Sequence, residues 1–212
     1  MTTERIRTGF LKVAGYILPL FQSLPPLGVW TGLMTLPAAS YLILIFANLP
    51  ANLPRALHAF FMPIHIPEKI LIIIGLLIFV YSVAYLKIKK KEGLIISGPY
   101  HLVRHPQYLG IILMTLGFTS WSVWILNHTF GIGFLSPSQT IDAWFIELFA
   151  YILLANIEEL YLSREYGKSF KKYQSQVPFL IPFLKFNRKS LEILFSILIL
   201  TILLFGLLTI VQ

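Results

Sequence analysis

The 212 residues are 57% hydrophobic and 12% charged, about half the roughly 25% charge of a soluble domain, and the mean hydropathy is +0.77. One core of this length cannot bury so much apolar surface, which excludes a water-soluble globule, disorder and a coiled coil and makes a bilayer part of the solvent. The absence of cysteine excludes a disulfide framework, a thiolate nucleophile and a Cys-ligated metal; the net charge of +8 falls between apolar runs, as membrane-face lysine does and a nucleic-acid footprint does not.

The first apolar run, 9–24, is short, carries Pro19 and ends at Pro25-Pro26, which reads as an interfacial or re-entrant helix. No small-residue cleavage site follows it, so it is not expected to be a cleaved signal peptide. Five further runs, 27–49, 70–88, 108–126, 141–157 and 191–211, are expected to span the bilayer. The fold expected is therefore an all-α integral membrane protein with about five transmembrane helices, an amino-terminal interfacial helix and a cytoplasmic amphipathic helix.

Orientation follows from the basic residues of the connections. Arg5, Arg7 and Lys12 precede span one; Lys87, Lys89, Lys90, Lys91 and Arg104 separate spans two and three; Arg164, Lys168, Lys171, Lys172, Lys185, Arg188 and Lys189 separate spans four and five. These segments are expected on the cytoplasmic side. The opposite connections, 50–69 and 127–140, hold Arg55 and Lys69 and are rich in Pro, Asn, Gly and Ser. The chain reads as one membrane domain: interfacial segment 1–26, two spans over 27–88, a core over 89–185 and an added span over 186–212.

Two cytoplasmic segments are more than connectors. In the first, Gly98-Pro99 make a turn and Pro106 stands where the first residue of a helix needs no N–H, which leaves Arg104 and His105 at a helix amino terminus. Cations there oppose the macrodipole, so an anionic partner is required. Gly110 and Gly117 lie seven apart on one face, for close helix packing or for backbone approach to a ligand. In the second segment, Glu158 and Glu159 sit together at a helix carboxyl end, unfavourable through mutual repulsion and through the dipole, so a compensating donor network is expected. Beyond them Leu162, Tyr166, Phe170, Tyr173 and Val177 recur at helical spacing opposite Arg164, Lys168, Lys171 and Lys172, the pattern of an amphipathic helix on the interface.

Other polar residues read more plainly. Asp142 follows Thr140 near the outer end of span four and reads as a helix-start residue, whereas Glu147 lies deeper, to pair within the bundle or face a cavity. His58, His65 and His128 lack metal-ligand spacing, and no metal is expected. No Ser has a His and Asp partner set for a triad.

The Gly98-Pro99-Tyr100 turn, Arg104-His105-Pro106-x-Tyr108-x-Gly110, and Glu158-Glu159 followed by Tyr166-Gly167, Tyr173, Val177-Pro178 and Ile181-Pro182 resemble the isoprenylcysteine carboxyl methyltransferase family, itself related to phosphatidylethanolamine N-methyltransferases. The resemblance covers 87–185 and implies S-adenosylmethionine bound by a methyltransferase-like core, with a lipophilic or prenylated acceptor arriving from the bilayer. It implies cofactor contacts from Tyr100, His105, Pro106, Tyr108, Leu109, Gly110, Glu158 and Glu159, and catalytic roles for Arg104 and Glu159. Arg104 could hold the cofactor carboxylate or orient a substrate carboxylate, and a glutamate could take the cofactor amine or ribose hydroxyls or act as base toward an amine. The expected partners are the bilayer and an amphiphilic acceptor, without nucleic acid. The membrane is a prokaryotic plasma membrane or a eukaryotic endoplasmic reticulum, with catalytic loops cytoplasmic. A sterol-reductase-like NADPH enzyme is the competing reading, disfavoured because Ile111, Ile112 and Leu113 follow Gly110 where that relative carries an acid; a non-catalytic membrane protein is the third.

Overall fold

The computed structural model describes residues 26–47, 49–89, 93–128 and 135–211. The chain divides into two compact units, Met1–Leu36 and Pro37–Gln212. In the first unit residues 26–36 are helical; the expected interfacial run 9–24 lies outside the described residues, as do Arg5, Arg7, Lys12, Lys90 and Lys91.

Among the described residues every regular element is helical: α1 (Pro26–Phe46), α2 (Leu49–Phe61), a 3₁₀ turn (Pro63–His65), α3 (Ile66–Lys89), the single turn α4 (Pro99–Leu102), α5 (Pro106–His128), α6 (Pro137–Gln176) and α7 (Lys189–Val211). Four stretches are long and apolar enough to cross a bilayer: Pro63–Lys89, Pro106–His128, Pro137–Gln176 and Lys189–Ile210. Span one, expected over 27–49, corresponds to α1. The architecture is that of a multi-pass membrane protein, with α5 mostly buried at its centre against α3, α6 and α7. On α3 and α7 apolar side chains such as Ile73, Leu77, Leu194 and Ile202 point outward, as a lipid-facing surface requires.

Local chemistry sets the helix ends. Glu68 begins α3 and Lys87 and Lys89 close it, each complementing the macrodipole. Pro106 opens α5, and Ser136 caps α6 in a capping box with Gln139, followed by Pro137. The cap is thus Ser136, six residues before the Asp142 that the sequence favoured; Asp142 is exposed.

α3 and α5 pack backbone to backbone. A Cβ on Gly75 would stand 2.5 Å from the carbonyl oxygen of Gly110, one on Gly110 would meet the Phe79 nitrogen at 2.6 Å, and one on Gly117 the Glu68 carbonyl at 2.8 Å. Small residues are what allow this approach. Of the two sequence readings of Gly110 and Gly117, close helix packing describes their surroundings.

Two expectations are corrected. The connection 50–69 is helical, because α2 is amphipathic and buries Ala56 and Ala59 against Trp121, Ile125, Phe46 and Phe60, a packing that overrides its prolines. The amphipathic stretch after span four is not a free interfacial helix. Gly167, at φ 51° and ψ −115°, breaks α6, and Phe170, Tyr173 and Val177 then pack on Leu94, Leu162 and Tyr166, so protein covers most of the apolar face.

Candidate functional site

The 98–106 segment is fastened between α3 and the end of α6. Gly98 has φ 61°, and a Cβ there would stand 2.6 Å from the Tyr85 ring, so only glycine fits this turn. Tyr100 donates from its hydroxyl to the Ser82 carbonyl at 3.3 Å, Tyr173 donates to the Tyr100 carbonyl at 2.6 Å, and the Arg104 N–H donates to the Pro178 carbonyl at 2.9 Å. These bonds deliver Arg104 and His105 into the space between α6 and α7.

The cation at the helix amino terminus finds its anionic partners within the protein. Arg104 donates from Nε to Glu159 Oε1 at 2.6 Å, from Nη1 to the carbonyls of Gln174 at 2.9 Å and Val177 at 2.6 Å, and from Nη2 to Glu192 Oε2 at 3.0 Å. Glu159 Oε2 also accepts from Gln174 Nε2 at 2.8 Å and lies 2.6 Å from Lys189 Nζ. Glu192 completes the cluster by accepting from the Phe179 N–H at 2.9 Å and from Lys185 Nζ. Arg104 is 4% exposed, Glu159 3% and Glu192 1%, so burial, charge and hydrogen bonding are all matched here.

His105 stands between the two adjacent glutamates, Nδ1 at 3.3 Å from Glu158 Oε2 and Nε2 at 3.3 Å from Glu159 Oε1. Burial opposes charging of the ring, but the two carboxylates outweigh it and raise its pKa above the ordinary value. The Glu159 carboxylate, buried as it is, is met by three cations, Arg104, His105 and Lys189. The rings of Tyr108 (5.5 Å) and Phe179 (5.1 Å) enclose His105, and Phe179 in turn lies under the Arg104 guanidinium at 5.5 Å and the Lys189 ammonium at 5.3 Å.

A cavity of about 280 Å³ opens beside this cluster. Asn156, Glu159, Leu160 and Ser163 line it from one face of α6 at helical spacing, Phe170 and Gln174 from beyond the Gly167 break, and Lys189 from α7. Its walls thus offer a carboxylate, an ammonium, two amides, a hydroxyl and an aromatic ring.

Arg104, His105, Glu158 and Glu159 come together, and Glu159 borders the cavity. Tyr100, Pro106, Tyr108, Leu109 and Gly110 lie in the packed interior. Sequence reasoning missed Gln174, Lys185, Lys189 and Glu192. The available signal was Glu192 itself, an acid in the first turn of an otherwise apolar helix, close after Lys185 and Lys189. Glu147 is 3% exposed on the α6 face toward α5, and neither of its oxygens has a hydrogen-bond partner among the described residues.

Comparison with known proteins gives two likenesses. One is to Protein-S-isoprenylcysteine O-methyltransferase B of Arabidopsis thaliana, 29% identical over 100 residues that cover 46% of this chain and 45% of that protein. The chain therefore spans less than half of the curated relative it matches. No solved structure matches significantly. The second likeness is broader: residues 20–185 match the sequence model of the Ergosterol biosynthesis ERG4/ERG24 family, and the chain belongs to that family.

Proposed function

We propose that the protein is an integral membrane S-adenosylmethionine-dependent methyltransferase whose acceptor is a lipophilic or prenylated small molecule or lipid. One observation carries the reading. The two segments that resemble isoprenylcysteine carboxyl methyltransferases, 98–110 and 158–178, meet at Arg104, His105, Glu158 and Glu159 beside an open cavity. The likeness to the plant O-methyltransferase agrees with it.

The donor set suits the cofactor. An ammonium, a carboxylate, ribose hydroxyls and a purine require both charge signs, neutral hydrogen-bonding groups and an aromatic face. Glu159, Lys189, Asn156, Ser163, Gln174 and Phe170 present all of these to one cavity. When bound, S-adenosylmethionine supplies an electrophilic methyl group. The chain's own residues then have binding and orienting roles. Glu159 would hold a cationic group, and its position is fixed by Arg104, His105 and Gln174 rather than by its own flexible stem. Phe170 gives the cavity an aromatic wall. In this reading Arg104 orients Glu159, since its donors are directed at the protein itself.

Membership of the ERG4/ERG24 family favours a second reading, an NADPH-dependent reductase. Calorimetric titration of the detergent-purified protein with S-adenosylhomocysteine and, separately, with NADPH discriminates between them. The expected result is micromolar S-adenosylhomocysteine binding that Glu159→Gln weakens, with NADPH silent. NADPH binding without S-adenosylhomocysteine binding overturns the methyltransferase reading in favour of the reductase.

A further inference from the structure

The charged cluster is out of balance by one unit. Its carboxylates are Glu158, Glu159 and Glu192; its cations are Arg104, His105, Lys185 and Lys189. His105 counts as charged because each ring nitrogen lies 3.3 Å from a carboxylate oxygen, Nε2 in a hydrogen bond with Glu159 and Nδ1 close to Glu158, and two carboxylates so placed favour the imidazolium. Three anions against four cations, at mostly buried positions, leave one positive charge without a counter-ion.

That surplus is accessible in one place. Arg104 is buried with its donors on Glu159, Glu192 and two carbonyls, and His105 is buried between Glu158 and Glu159. Lys185 donates to the Gln174 carbonyl and Glu192 and does not line the cavity. Lys189 does line it, with a side chain 31% exposed. Its partner Glu159 already receives Arg104 Nε at 2.6 Å and Gln174 Nε2 at 2.8 Å, so Lys189 can turn to another anion without stranding that carboxylate. Lys189 lies on α7, outside the stretch 20–185 that matches the family.

We propose that Lys189 binds an anionic group, a carboxylate or a phosphate, of the molecule that occupies the cavity. The source is the cofactor or a lipid headgroup; the cofactor arm rests on the methyltransferase reading, and the lipid arm does not.

The test uses the full chain in detergent as wild type, Lys189→Met and Lys189→Arg, with Lys171→Met as a control that removes an exposed charge away from the cavity. Probes are S-adenosylhomocysteine, its decarboxylated analogue and NADPH by calorimetry, and phosphatidylglycerol against phosphatidylcholine in nanodiscs by thermal stability. If the anion is the cofactor carboxylate, Lys189→Met weakens S-adenosylhomocysteine by about tenfold or more, the loss of one charge-assisted hydrogen bond, while Lys189→Arg and Lys171→Met bind nearly as wild type. The decarboxylated analogue then binds wild type and Lys189→Met alike. If the anion is a lipid phosphate, Lys189→Met keeps S-adenosylhomocysteine affinity and loses the stabilisation specific to phosphatidylglycerol. A wild type that ignores S-adenosylhomocysteine defeats the methyltransferase reading alone, and NADPH and phosphatidylglycerol then decide Lys189 by the same comparison. The inference is overturned if Lys189→Met responds to every probe as wild type does, or if wild type responds to none.

Discussion

Arg104 and Glu192 are 88 positions apart in sequence, yet Nη2 of one donates to Oε2 of the other at 3.0 Å, with both side chains almost wholly removed from solvent. This bond ties the start of α5 to the first turn of α7. Glu192 keeps Lys185 when Arg104 is removed and Arg104 keeps Glu159 when Glu192 is removed, so each loss costs about 1.5–3 kcal/mol, the worth of a hydrogen bond to a charged group. Arg104→Ala and Glu192→Ala are therefore each expected to lower thermal stability in detergent sharply. The double variant should be less destabilised than the two effects added, and additive losses in a double-mutant cycle would refute the coupling.

His105 gives the protein a pH signature. Its pKa is raised in the folded state by Glu158 and Glu159, so its contribution to stability is complete below the unfolded value of about 6.5 and is lost as pH rises through the folded value. Thermal midpoints measured from pH 6 upward should fall as His105 deprotonates. His105→Gln should flatten that dependence, and a slope of equal size in the variant would assign the effect elsewhere.

The α3–α5 contact has no room for a methyl group. Gly75→Ala or Gly110→Ala should force the helices apart at a cost of about 1–3 kcal/mol, whereas Gly206→Ala on α7, where a Cβ meets nothing within 4 Å, should be neutral or slightly stabilising. Thermal stability of the three variants in one detergent makes the comparison; equal tolerance at all three positions would contradict the packing.

Gly167 carries a different constraint. A Cβ there meets nothing, but φ 51° with ψ −115° is open to glycine and strained for other residues, so Gly167→Ala should cost about 1–3 kcal/mol. The strain is relieved by straightening α6 and withdrawing Phe170 and Gln174 from the cavity. Faster tryptic cleavage at Lys168, Lys171 and Lys172 reports that movement; an unchanged digestion rate would show that the break tolerates a side chain.

The spans were legible because a bilayer imposes one dominant requirement, some twenty apolar residues per crossing, and α3, α5, α6 and α7 meet it openly. α2 was not, since its helicity depends on Trp121 and Ile125, which are distant in sequence, while Pro50 and Pro54 signal a loop locally. The meeting of Arg104 with Glu159 was legible in part: a cation at a helix start and two adjacent acids each needed a partner, although α6 runs on past Glu158 and Glu159 to Gln176, so the acids are not at the helix end that the sequence suggested. Glu192 escaped because an acid in the first turn of a helix already has a local explanation in the macrodipole, and nothing local reveals that its carboxylate turns inward to Arg104. Gly110 carried two meanings that only the position of Gly75 could separate.

The Arg104–Glu192 bond also imposes an order in time. During synthesis Arg104 leaves the ribosome 88 residues before Glu192, so α5 and α6 reach the bilayer while the guanidinium still lacks one of its two carboxylate partners. The last helix brings Glu192 together with Lys189, so its arrival leaves the net charge of the cluster unchanged while giving Arg104 its second carboxylate. The site is thus assembled late, once α7 has joined α5 and α6.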